Sequence, residues 1–304
     1  MKNILTYNLN SSKKHGWTPE WFEADAFNKD LINKIKEFQK KHELVADGLV
    51  GPSTLRRLET ELLEKEEYIS KQKRFKQKEN HIIYNGEKFP IAWNKVILWD
   101  EPRGLKAKEG CYYDWSGRPK RKPIQFVNHW DATLSSEACA RIINKRGLSM
   151  HFLIDNDGTI YQMLDMQHVA WQAGSKLWNT NGIGVEISNA YYTKYQNWYV
   201  KNGFGERPIV KSELNGRTIG PHLDFYPIQL EALAALWAAV SNSTGINLEV
   251  CKTKKVDKDC AEMKFNGFVN HYNLTSNKID CASLNMEEIL EKAKESITII
   301  RSSN

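Results

Sequence analysis

The chain has 304 residues, 41% of them apolar and 26% charged, with a formal net charge of +6. That length supports a main domain with a sizeable core plus a small module, and the composition is that of an ordinary globular protein. A modest, dispersed positive charge draws a protein to anionic polymers in general, but there is no arginine-rich run or nucleic-acid motif, which argues against a nucleic-acid partner.

The opening residues contain no continuous apolar segment of the kind that directs secretion, so no signal peptide is expected. The longest apolar run, 230–240, is too short and too periodic to span a membrane. Five cysteines are an odd number, and without a leader they are expected mostly as free thiols. Cys251 and Cys260 flank a charged segment and could pair or bind a second metal, although a solvent-exposed charged hairpin is the favoured expectation. Ten tryptophans and twelve tyrosines suit a sugar or peptide groove, but core packing is the better reading for most of them.

In chain order, residues 28–62 read as a compact helical unit. Leu31, Ile35 and Phe38 share one helix face. Asp47–Gly48 and Gly51–Pro52 signal turns. Ser53 or Thr54 can cap a second helix whose apolar face is Leu55, Leu58 and Leu62. Residues 63–80 are dense in charge and free of Gly and Pro, which predicts a solvated linker without chemistry.

Beyond the linker, residues 124–130, 151–164 and 182–188 are apolar runs suited to strands, with Asp157–Gly158 turning the middle run into a hairpin. Residues 135–147, 226–245 and 285–300 read as helices. Pro227 suits the first turn of the second, whose face is Leu230, Leu233, Trp237 and Val240. This alternation predicts an α/β domain, a mixed central sheet flanked by helices, joined to a small all-α N-terminal domain. The expected division is 1–62, a linker over 63–90, and 91–304.

His129 stands in FVNHWDAT and His271 in NHYNLTSNKIDCAS, which also holds the adjacent pair Asp280–Cys281. Two imidazoles and one carboxylate or thiolate make a three-ligand zinc set with a fourth position for water. Glu186 lies inside an apolar strand, where an acidic side chain is expensive unless it is used or paired.

From about residue 120 to 290 the chain resembles the zinc-dependent type-2 N-acetylmuramoyl-L-alanine amidases. Five blocks occur in order: FVNHWDAT, MHFLIDNDGTIYQM, HVAWQAG, NTNGIGVEIS and NHYNLTSNKIDCAS. The resemblance implies one zinc per chain, held by His129, His271 and either Cys281 or Asp280. Thiolate is the softer zinc ligand and cysteine is rare here, which tips the choice slightly toward Cys281. The resemblance further implies Glu186 as general base; Lys278 would either face the oxyanion or be an ordinary loop lysine. His168, Trp171 and Gln172 would border the substrate groove, Gln172 standing where the family usually has His; His151 would either line the cleft or be a packed histidine, and Asn181 would brace a loop. Met150 occupies the position of a tyrosine that is catalytic in some branches, so this chain cannot use that tyrosine.

FQKKH followed by DGLVGPSTLRRL resembles the peptidoglycan-binding domain of cell-wall hydrolases, with Asp47, Gly48, Gly51 and Thr54 carrying the motif. Together the two resemblances imply a hydrolase of the amide between N-acetylmuramic acid and L-alanine, similar to a phage endolysin. Such an enzyme is a monomer without membrane insertion or nucleic-acid binding, engages the glycan strand and stem peptide of peptidoglycan, and waits in the host cytoplasm until lysis brings it to the wall. The alternatives are a non-catalytic wall-recognition protein on the same fold and a wall-binding component of the virion. The presence of every candidate ligand and of the base ranks the hydrolase first.

Overall fold

The computed structural model describes residues 2–42, 44–51, 53–55, 57–58 and 80–302. Pro52, Leu62 and the charged segment 63–79, on which a turn, a helix face and the linker were expected, lie outside them. The chain forms two compact units.

The first unit comprises the described residues of Met1–Phe75 together with Lys194–Arg207. Its helix Lys29–Lys41 is capped by Asn28, whose side-chain oxygen accepts the Leu31 N–H, a group with no partner inside the helix. The predicted face holds: Leu31 and Ile35 are fully buried beside Trp17, Phe22, Val50, Leu55 and Leu58, and Phe38 packs on that cluster. A helix over Lys2–His15 was not read from the sequence; its Asn8 side chain donates to Gly48 O and accepts from Val50 N–H. The segment Lys194–Arg207, which the sequence reading gave to the second domain, belongs to this unit through its helix Gln196–Lys201 and a bond from Ser53 Oγ to Asn202 O.

The second unit contains strands β1 (His81–Tyr84), β2 (Glu87–Pro90), β3 (Val96–Leu98), β4 (Tyr112–Tyr113), β5 (Gln125–Trp130), β6 (Phe152–Ile154), β7 (Ile160–Gln162), β8 (Val169–Ala170), β9 (Gly182–Ile187), β10 (Ile209–Leu214), β11 (Arg217–Leu223) and β12 (Gly267–Asn270). Six of them form a mixed sheet in the order β12-β5-β9-β6-β7-β3, parallel throughout except for the β6–β7 hairpin. β1 pairs with β2, β4 with β8 and β10 with β11 in separate two-stranded ladders. The β1–β2 hairpin occupies residues assigned to the linker on sequence; the apolar run Ile82, Ile83 and Tyr84 is buried in the main core.

The three expected helices form over Ser136–Lys145, Pro227–Thr244 and Met286–Ser302. None of the described helices is long and apolar enough to cross a membrane. Side chains alternate across a strand, and this positions the site. Phe126 and Trp130 of β5, with Ile183, Val185 and Ile187 of β9, join the core built around the helix Pro227–Thr244. Trp237 of that helix stacks on Phe268 and donates to Asn128 Oδ1. Val127 and His129 of β5, and Gly184 and Glu186 of β9, therefore face the opposite side, where Ser136–Lys145 covers part of the sheet through Cys139, Ala140 and Ile143. Every residue of β5 is buried, as a strand covered on both faces must be.

Candidate active site

β5 and β9 run parallel with His129 opposite Glu186, near the carboxyl ends of the strands, where open α/β sheets place their sites. β12 lies parallel on the other side of β5 and leads directly into the short helix His271–Leu274. His129 and His271 are buried, with ring centroids 4.4 Å apart. The Nδ1 atom of each lies 3.0 Å from the same oxygen, Asp280 Oδ2. Ligand atoms of all three residues fall within 4.8 Å of one another.

Cys281 is not part of this convergence. Its side chain is fully buried in the apolar core with Tyr272, Leu284 and Met286, and burial, together with the Asp280 charge, raises its thiol well above the usual range. The preference for sulfur weighed ligand softness and the rarity of cysteine, not the path of the backbone. The backbone turns Asp280 toward the histidines and Cys281 into the core.

His129 Nε2 lies 2.6 Å from Gln172 Oε1. An amide oxygen only accepts, so Nε2 carries the hydrogen and Nδ1 of the neutral ring presents a lone pair to Asp280. Two acceptors 3.0 Å apart need a cation between them, either a proton or a metal. Burial disfavours the charged form of His129, but Asp280 and Glu186 outweigh it and raise its pKa. Burial and the neighbouring His129 lower that of His271. Burial also opposes ionisation of Asp280, yet the hydrogen bonds to His129 and His271 hold its carboxyl below the usual range. Two imidazoles, one carboxylate and a ring oriented through its far nitrogen make a donor set that fits zinc.

Glu186 is half-buried, and its Oε2 is sealed from solvent without a hydrogen-bond partner among the described residues. Burial pushes its carboxyl up to about 8; His129 and Lys278 pull it down, and Asp131 and Asp280 push it up. Lys278 is exposed but acts electrostatically on both Glu186 and His271.

The remaining predicted residues separate. Trp171 is half-buried, with its Nε1 lacking a partner among the described residues, and packs edge-on against Tyr113. His168 accepts the Trp115 N–H and contacts the Tyr112 ring. His151 is fully buried: Nδ1 accepts the Gly184 N–H and Nε2 faces His168 O and Arg121, the surroundings of a packed histidine. Asn181 donates to Leu177 O and accepts the Ile124 N–H through its carbonyl, which ties the entries to β5 and β9.

Sequence reasoning missed Asn179, whose side-chain oxygen accepts the N–H groups of both Gln172 and Ala173. It also missed why Gly184 is glycine: a Cβ there would meet Gln172 Oε1 at 2.2 Å and Met150 Sδ at 2.7 Å. In the first unit, Asp47, Gly48 and Thr54 all bond to the buried Gln39 side chain. Gly48, at φ +79°, would drive a Cβ to 2.9 Å from Ile32. Gly51 accepts the Leu55 N–H. The motif thus builds the turn that closes the unit.

Comparison with curated protein sequences returns no match. Among solved structures, a mutant endolysin from Bacillus subtilis is similar at 19% identity over 66% of this chain and 98% of the other, with a TM-score of 0.38. An N-acetylmuramoyl-L-alanine amidase from Clostridium intestinale is similar at 16% identity over 66% and 97%, with a TM-score of 0.37. Residues 15–58 match the family described as a peptidoglycan binding domain. Residues 119–280 match the family described as N-acetylmuramoyl-L-alanine amidase, a span that holds His129, Glu186, His271 and Asp280, and the chain belongs to that amidase family.

Proposed function

We propose that this protein is a zinc-dependent peptidoglycan amidase that cleaves the bond between the lactyl carbonyl of N-acetylmuramic acid and L-alanine. The observation that carries this reading is the approach of two histidine Nδ1 atoms to one Asp280 oxygen, 3.0 Å each, beside the half-buried Glu186. His129, His271 and Asp280 would hold one zinc, and Cys281 would pack behind them. Bound there, zinc supplies a water acidified to about pKa 7 and polarises the scissile carbonyl.

The chain's own residues supply the rest. Glu186 accepts the proton of the attacking water on its carboxylate. The water oxygen bonds to the carbonyl carbon, the C–N bond breaks, and Glu186 returns the proton to the alanine nitrogen. A carboxyl raised toward neutrality is suited to both transfers. Lys278 stabilises the developing oxyanion. Gln172 keeps the His129 hydrogen on Nε2, and Trp171 borders the stem peptide.

The N-terminal unit would hold the enzyme on its insoluble polymer and raise its effective concentration there. A wall-adhering module joined to a wall hydrolase suits host lysis by a phage, the biological role we assign. Glu186→Gln tests the mechanism: it preserves shape and should retain zinc while turnover of soluble muropeptide falls about 10²- to 10⁴-fold. Activity within a few-fold of wild type would assign the proton transfer to another group.

A further inference from the structure

Away from the amidase centre, we propose a second metal site, formed by Cys251, Asp257 and Cys260 and selective for a thiophilic divalent cation of the zinc class. Ligand atoms of the three residues lie within 4.8 Å of one another. The charged loop that the sequence suggested would be a solvent-exposed hairpin instead buries both cysteines, Cys260 completely, against Val127, Val269 and Leu274. Asp257 is half-buried, the most exposed of the three.

The cluster is built rather than incidental, because each residue that carries a donor is anchored by a bond of its own. The Cys251 N–H donates to Phe268 O of β12 at 3.1 Å. Cys260 O accepts from Gln125 Nε2 of β5 at 2.9 Å. Asp257 caps the helix Lys258–Ala261 by accepting the Cys260 N–H at 3.0 Å. The Asp257 N–H donates to Asn273 O, and Asn273 Nδ2 in turn donates to Thr253 O and Lys255 O. The loop is therefore pinned at both ends and in its middle, so little chain entropy remains to be lost when an ion binds.

The chemistry of the donors selects the ion. Two sulfurs and one carboxylate suit zinc, with a fourth position for water, whereas calcium and magnesium take all-oxygen sets. Asn273 lies two residues beyond His271 on the same short helix, so an ion here would also stiffen the support of an amidase-site histidine.

Cobalt substitution of the full chain tests this site separately from the amidase site, because His129, His271 and Asp280 contain no sulfur. The expected result is two zinc ions per chain by elemental analysis. The cobalt form should show a thiolate-to-metal charge-transfer absorption that Cys251→Ser and Cys260→Ser each remove, with one zinc remaining. As a check that needs no variant, zinc should protect Cys251 and Cys260 of the wild type from alkylation. One zinc per chain with no such absorption, unprotected thiols, or an intact mass lower by two hydrogens from a Cys251–Cys260 disulfide would each overturn the proposal.

Discussion

His129 Nε2 and Gln172 Oε1 stand 2.6 Å apart, and this contact decides which nitrogen of His129 faces Asp280. Asn179 holds the Gln172 backbone, and the bare Gly184 leaves room for its amide. Partners behind a metal-ligating histidine typically contribute about 10- to 100-fold in metal affinity. Gln172→Ala should weaken zinc by that factor in chelator competition with no loss of helical signal. Gly184→Ala should do the same and also lower stability by about 1–3 kcal/mol through overpacking, read from the urea midpoint. Unchanged affinity in both variants would mean that the ring is oriented by something else.

Asp280 and Cys281 are neighbours in sequence with opposite environments, and their variants should separate cleanly. Asp280→Asn should abolish stoichiometric zinc at the amidase site while the chain stays folded. Cys281→Ser should keep that zinc and cost about 1–3 kcal/mol, because a hydroxyl would be buried among Tyr272, Leu284 and Met286. Loss of amidase-site zinc on Cys281→Ser alone would reverse the assignment.

These two residues also mark how far the sequence could be read. The strands carrying His129 and Glu186 were legible, because an apolar run buried on both faces betrays itself, and period-two alternation then puts both side chains on one face. The helix Pro227–Thr244 was legible from its proline start and apolar face. The choice between Asp280 and Cys281 was not, because it depends on the local path of a turn and not on residue chemistry. The same holds for Asn179 and Gly184, whose roles exist only once Gln172 is placed beside His129. The membership of Lys194–Arg207 in the first unit likewise rests on contacts such as Ser53 to Asn202, remote in sequence and without a motif.

In the first unit, the Gln39 side chain joins Asp47, Gly48, Leu49 and Thr54 from a fully buried position. Gln39→Ala would leave several of those groups unpaired, at about 1–3 kcal/mol for each buried group. It should reduce sedimentation of the full chain with sacculi while leaving turnover of a soluble muropeptide unchanged. Such a point variant is a better probe than truncation, because removing residues 1–80 would strip Lys194–Arg207 of its packing partners. Wild-type retention on sacculi by a destabilised Gln39→Ala chain would place wall binding elsewhere.

The most direct measurement is mass analysis of the products released from purified peptidoglycan by the intact chain, run with chelator and again after zinc is restored. The released stem peptides should begin with a free L-alanine amine and the glycan strands should stay uncut, with complete loss of release in chelator and recovery with zinc. New reducing sugar ends, cleavage within the stem peptide, or full release in the presence of strong chelator would contradict the zinc-amidase assignment.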